Sequence, residues 1–368
     1  MKRETTTIIL VTFSLMLLGL LMVYSVCAVR GDYSTVNRNI IYAMIGTISM
    51  FVASRFDYRH FQDKFIFRSL VLISLFTLVA VLIIGHKVDG GQRWLNLGFT
   101  RFQPSELAKF TLIILMAVKL TQNHDDVKTF TKGFLPPMLL AGLFTGLVLL
   151  ERDLGNPAMM ISITFIMMFV AGIRLRYLLI STFPVIAGII ALIYTAPHRI
   201  SRITAFIDPF KDVEKTGWQL VQSLSAFAQG GVYGTGIGAG EQKLGYLPAA
   251  HTDFIFAIVG EELGLIGTLS VLALYAILGI AAFRIAMYAQ DRFGSLLAIG
   301  IAGLITLQSV FMMAVTTGLL PTKGLPLPLI SYGGTALIIM MTLIGILVNI
   351  GVQSPEPEPQ KRGLISAV

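Results

Sequence analysis

Three short stretches hold ionisable residues where the surrounding sequence is almost wholly apolar. "HTDFIF" (251–256) places His251 and Asp253 at the entrance of a long apolar run, with Glu261 and Glu262 further along it. "RFQPSELAKF" (101–110) carries Arg101, Glu106 and Lys109, and "GLLPTKGLPLPLISYGG" (318–334) carries Lys323 among prolines and glycines. An ionisable side chain at the centre of a membrane costs at least about 2.5–3.5 kcal/mol, so such residues are read first as functional. A carboxylate within reach of a hydroxyl can take its proton, and fixed cations can hold an anion. Each stretch also has a plainer reading. Glu106 and Lys109, three apart on one helix face, fit a pair that merely joins helices. Asp253 fits an N-cap, and Lys323 fits an ordinary proline-rich loop.

The elements that position these residues follow from composition. The 368 residues are 55% hydrophobic and 13% charged, with a mean hydropathy of +0.78. Soluble domains have about 45–50% apolar and about 25% charged residues, so the chain reads as an all-α polytopic membrane protein. A span needs about 20 mostly apolar residues. Such runs fall near 7–29, 38–55, 68–85, 104–120, 134–150, 157–173, 178–196, 256–283, 294–317 and 333–352, and the eighth is long enough to tilt or to start outside the hydrocarbon. Pro104 suits a first helical position and Glu106 the positive end of the helix dipole. Lys109 then lies about 8 Å into its helix. The broken backbone around Lys323 is tolerated at membrane depth only against protein or a water-filled cavity.

Lysines and arginines in short loops set the orientation. Arg55, Arg59, Lys64 and Arg68 in one loop, and Arg174 and Arg176 in another, favour cytoplasmic termini. The outside loops at 86–103 and 197–255 run against this bias, with Lys87, Arg93, Arg101, Arg199, Arg202, Lys211, Lys215 and Lys243, and those cations are candidates for function. The domain reading is therefore one transmembrane unit over 1–352 with a large outside loop at 197–255, and a disordered tail over 353–368. That loop holds Trp218, two amphipathic pieces at 198–208 and 217–229, and "GGVYGTGIGAGEQKLG". No strand precedes these glycines and no "GK[ST]" follows, so phosphate-loop and dinucleotide motifs do not fit. Close backbone approach does. "ERDLGNP" (151–157) reads as a local ion network, and Arg93 beside Trp94 as an interfacial anchor or headgroup contact. The one cysteine, Cys27, allows neither an internal disulfide nor a metal-ligand spacing. The net charge of +8 points to anionic lipid or a phosphorylated substrate, and not to nucleic acid.

In this order on about ten spans, "GQRWLNLGFTRFQPSELAKF", "LPAAHTDFIFAIVGEELG" and "TTGLLPTKGLPLPLISYGGTA" resemble the signatures of the SEDS family of shape, elongation, division and sporulation proteins. The resemblance covers nearly the whole chain. Within the family the chain is more similar to the division members than to the elongation members, with sporulation members a close third. It departs from relatives at Met312 and Ala314, where they often have Asn and Gly, and at Thr335 and Ala336, which replace two serines.

The resemblance implies a peptidoglycan glycosyltransferase that polymerises lipid II at the outer face of the bacterial cytoplasmic membrane, at the division septum. Its partners would be a class B penicillin-binding transpeptidase and divisome membrane proteins. Carried over by motif, the essential aspartate is Asp253, the general base. Arg101, Lys109 and Lys323 bind the pyrophosphate or the acceptor, with Arg93 beside them. Glu106 orients Lys109, and His251 positions Asp253 or a sugar. A divalent cation (Mg2+ or Mn2+) at the pyrophosphate fits the chemistry, but the sequence shows no ligand set for it. The rival readings are a lipid II flippase using the same cavity, an elongation-type polymerase, and a scaffold that recruits the transpeptidase. Against transport, the charged clusters all fall on the outer side and no inverted repeat is visible.

Overall fold

The computed structural model describes residues 1–88, 91–96, 98, 101–194, 197–211, 213 and 217–355. Lys215 and residues 356–368 of the tail lie outside the described residues, as do the side chains of Lys87 and Arg199. Each of the ten expected spans coincides with a helix: α1 (Lys2–Val29), α2 (Tyr33–Arg55), α3 (Lys64–Ile84), α4 (Pro104–Gln122), α5 (Leu135–Leu150), α6 (Gly155–Val170), α7 (Leu175–Tyr194), α10 (Ile255–Met287), α11 (Arg292–Thr316) and α12 (Gly334–Gln353). The two amphipathic pieces of the large loop form α8 (Pro197–Ile207) and α9 (Trp218–Gly230). Among the described residues, seven helices are long and apolar enough to cross a membrane: α1, α2, α3, α5 with the π-turn before it, α10, α11 and α12.

The region at 86–103 is not the plain loop the sequence suggests. It forms a three-stranded antiparallel sheet of β1 (His86–Val88), β2 (Gly91–Asn96) and β3 (Arg101–Phe102). The sheet is tied to the helices through Thr335 at the start of α12. Its hydroxyl donates to the Arg101 carbonyl and accepts from the Gln103 amide at 3.2 and 3.3 Å. The hydroxyl of Thr335 thus anchors the strand that carries Arg101.

α4, α11 and α12 form the centre, and nearly every residue of α4 from Pro104 to Leu120 is buried. α3 by contrast exposes Phe65, Leu72, Phe76, Ile83 and Ile84, as a lipid-facing helix does. Between membrane helices there is no water to expel, so close approach over small residues carries the packing. A Cβ at Gly345 of α12 would stand 2.9 Å from Ala53 of α2.

α10 is 33 residues long, about 50 Å if straight. It is broken at Gly264 (φ 64°, ψ −160°). The glycine-rich segment fills that break. The amides of Leu265 and Ile266 donate to the carbonyls of Gly231 and Val232, and the amides of Thr235 and Gly236 donate to those of Glu261 and Glu262. The break would otherwise orphan these groups at a cost of several kcal/mol each in hydrocarbon. Both glutamates are consumed in the same junction. Glu261 accepts from the amides of Glu241 and Gln242. Glu262 pairs with Lys243 at 2.6 Å and accepts from Ser25 of α1, with both charges buried.

Two glycines in the segment separate backbone conformation from space. Gly234 and Gly238 have φ of +81° and +85°, but a Cβ at Gly234 would strike the Glu262 carbonyl while one at Gly238 would meet nothing. Gly234→Ala is expected to destabilise by about 1–3 kcal/mol more than Gly238→Ala. Thermal melts of the two variants in one detergent check this, and equal losses would contradict the junction.

Candidate active site

A cavity of about 1380 Å³ opens among α2, α5, α6, α7 and α12, the sheet, α8 and the loops before α10 and α12. It exceeds the roughly 300–1,000 Å³ of common small-ligand pockets. Of the residues singled out from sequence, Arg93, Arg101, His251, Asp253 and Lys323 line it. Arg202, one of the outside-loop cations noted in the sequence, lines it as well, and so do Arg38 and Arg152, which the sequence did not single out as site residues. Along α5 and α6 the lining is largely apolar, with Met138, Leu149, Ile161 and Phe165.

Asp253 stands in a turn just before α10. Phe254, not Asp253, is the N-cap residue, and it makes no side-chain cap bond. The aspartate therefore has no capping task. Its turn is built on Ala249, whose φ of +55° lets its carbonyl accept from the amides of Thr252 and Phe254. The "PTKG" loop is sewn to this turn. The Tyr332 amide donates to the His251 carbonyl at 2.9 Å, and the Ser331 hydroxyl donates to the Thr252 carbonyl at 2.6 Å. Gly324 lies against the carboxyl itself, since a Cβ there would stand 3.1 Å from Asp253 Oδ2. Asp253 and Lys323 thus share one rigid frame.

Burial raises the Asp253 carboxyl to about 7; the charges of Arg202 and Arg93 and a hydrogen bond from Thr252 pull it down, and Asp153 pushes it up. A base poised near neutrality combines availability with strength. His251 is held below its usual range by burial and then by Arg30, with Asp32 opposing.

Arg93 reaches across the cavity mouth, donating from Nη2 to the Arg152 carbonyl at 2.8 Å. Arg152 has φ 61°, which turns the chain sharply between α5 and α6. The local ion network read in "ERDLGNP" takes a different form. Asp153 accepts from the Gly155 amide and from Asn156 Nδ2, each at 2.8 Å, and so organises the start of α6. Glu151 is fully buried, and burial with the Asp153 charge raises it to about 9.

Glu106 and Lys109 do not line the cavity. They form an ion pair of 2.9 Å with side chains 3% and 1% exposed. Lys109 also donates to Oε1 of Gln308 on α11 at 3.2 Å, and Gln308 Nε2 donates to the Pro326 carbonyl at 2.8 Å. The structure therefore corrects the reading of Lys109 as a cation open to the substrate. Its charge is spent on Glu106 and Gln308, and through Gln308 it braces the loop that presents Lys323.

Among the described residues no three His, Cys, Asp or Glu side chains converge on a candidate cation site. Mg2+ is commonly held by one or two carboxylates and substrate phosphates, and Asp253 and Asp153 both line the cavity.

The sequence model of the FtsW, RodA and SpoVE family, described as cell cycle protein, matches residues 5–356. A curated protein of Trichlorobacter lovleyi named probable peptidoglycan glycosyltransferase FtsW is 42% identical over 352 residues, covering 93% of this chain and 92% of that protein. Stage V sporulation protein E of Bacillus subtilis is 36% identical over 95% of this chain and 98% of its own. A chain from a solved peptidoglycan synthase complex, described in terms of the structural coordination of polymerization and crosslinking, superposes with a TM-score of 0.79 at 26% identity, covering 94% of this chain and 96% of that one.

Proposed function

As this chain belongs to the FtsW, RodA and SpoVE family, we propose that Asp253 is the general base of its reaction and that Arg93, Arg101, Arg202 and Lys323 hold the pyrophosphate of a lipid II donor. The chain is a multi-pass membrane protein and a peptidoglycan glycosyltransferase. The observation that carries the site assignment is the cavity itself, where one poised carboxylate stands among cations in a frame sewn from two loops.

The 4-hydroxyl of the acceptor sugar attacks the anomeric carbon of the donor. An O–C bond forms while the bond from that carbon to the phosphate oxygen breaks. The proton passes to the Asp253 carboxylate, and the electron pair leaves with the undecaprenyl pyrophosphate, where the cations meet the growing charge. Asp153 is engaged by Gly155 and Asn156, which leaves Asp253 as the reacting carboxylate and favours direct displacement with inversion. Glu106 and Lys109 serve as positioning residues.

The orientation that fits puts both termini in the cytoplasm and the cavity at the outer face, with action at the septum. The complex named for the structural neighbour supports a class B penicillin-binding transpeptidase as partner, with divisome membrane proteins around it. The test is reconstitution in proteoliposomes with labelled lipid II, following polymer and translocation in parallel for wild type and Asp253→Ala. Polymer from wild type alone supports the reading. Polymer from the variant at the wild-type rate overturns the assignment of Asp253, and translocation without polymer in the wild type favours the flippase.

A further inference from the structure

Three aromatic rings stand together on the cavity wall, and the reaction as written gives the two tyrosines among them no task. The centroids of Tyr42 and Tyr332 are 6.4 Å apart with planes at 58°. Those of His251 and Tyr332 are 5.8 Å apart at 57°. All three line the cavity, and each is half-buried rather than enclosed in the core.

The group is held from behind. The backbone bond from Tyr332 to His251 fixes two of the rings together. Tyr42 packs against Gly334, where a Cβ would stand 2.6 Å from its ring, so only glycine leaves that ring its place. Arg38 precedes Tyr42 by one turn on the same face of α2 and lines the same cavity. The rings end two residues from Asp253.

Rings and cations recognise different parts of a glycolipid. A pyrophosphate is held by charge. A hexose presents one apolar C–H face and an edge of hydroxyls, and it suits an aromatic wall with polar groups at its margin. The charges that act most on Asp253 are those of Arg202 and Arg93, on α8 and β2. The rings sit on α2 and the two loops, so the carboxylate has a sugar-binding wall and a phosphate-binding wall.

Resting on the reading of Asp253 as base, we infer that Tyr42, Tyr332 and His251, with Arg38 at their edge, seat the acceptor disaccharide whose 4-hydroxyl Asp253 deprotonates. The donor, which needs its pyrophosphate bound, is held by the cations and does not depend on the rings.

The two roles separate with two analogues and the full-length protein in proteoliposomes. Lipid II blocked at the 4-hydroxyl can only donate. Lipid II whose pyrophosphate is replaced by a linkage that cannot leave can only accept. Mixed, they give one tetrasaccharide per turnover, and each KM is measured separately. Tyr332→Ala and Tyr42→Ala are expected to raise the acceptor KM about tenfold or more and to leave the donor KM within about twofold. Tyr332→Phe, which keeps the ring, restores the wild-type value. Should the alanine variants fail to fold, Tyr332→Leu and Tyr42→Leu keep apolar bulk without a flat ring and take the same test. A rise in donor KM, a change in kcat alone, or no change overturns the inference. Coupling at the wild-type rate in Asp253→Asn would instead overturn the reading beneath it, whatever the ring variants do.

Discussion

Replacing Asp253 with asparagine is expected to slow glycan polymerisation by about 10²- to 10⁴-fold, the usual contribution of a positioned base. Asparagine keeps the size and hydrogen-bonding edge of the side chain but cannot take a proton. The loss should therefore appear in kcat, with KM for lipid II little changed. The wild-type profile gives a second signature. Burial raises this carboxyl to about 7, and only the ionised form is a base. The rate should climb with pH through that value and level off above it. Stability should move the other way. A carboxylate whose pKa is raised on folding destabilises the folded state as pH rises from the ordinary aspartate range to about 7. Asp253→Asn should therefore melt higher than wild type at pH 8 and show little difference at pH 4. A variant that polymerises at the wild-type rate, or a wild-type rate that is flat across neutral pH, would remove Asp253 from the chemistry.

The parts of this site that the sequence reveals and the parts it hides differ for physical reasons. The ten helices are legible because hydrocarbon demands long apolar runs, and α8 and α9 because amphipathicity leaves a period. Asp253 and Lys323 are legible because a charge beside a span needs a reason. Arg38 is not, and Arg202 shows only as one of several cations in the large outside loop. On a helix end near the membrane surface, an arginine facing a cavity and one facing lipid headgroups look alike. The sheet at 86–103 is missed because its strands have 3, 6 and 2 residues, too short for a clear alternation. The break at Gly264 hides among glycines of an otherwise continuous helix, although the excess length of that run hints at it. Lys109 is the instructive case. Its depth follows from counting residues after Pro104, but its direction depends on Gln308, and nothing in the sequence pairs two residues 199 positions apart. Lys243 and Glu262 are only 19 positions apart, but the backbone junction that pairs them leaves no periodic signal in the sequence.

Lys109→Met should lower stability by about 3–5 kcal/mol, because it leaves Glu106 as an uncompensated charge in a place nearly sealed from solvent. A cation that merely faced an open cavity would lose little stability when removed, since water would serve the carboxylate in its place. The double variant Glu106→Leu with Lys109→Met tests the difference. Replacing both members of a buried pair with apolar side chains of similar volume is often neutral or stabilising, so the double variant should regain most of the melting temperature lost by the single one. Its rate should not return fully. Gln308 would lose its lysine partner, and its bond to the Pro326 carbonyl would no longer be fixed from behind. Lys323, carried on that loop, would then be less well placed against the leaving group. About a tenfold loss of kcat with near-wild-type stability is the expected result. Melting curves and initial rates measured on one preparation decide it. A single variant that melts with the wild type would show that Lys109 is not the buried brace described above. A double variant that recovers rate together with stability would show that the pair acts through packing alone.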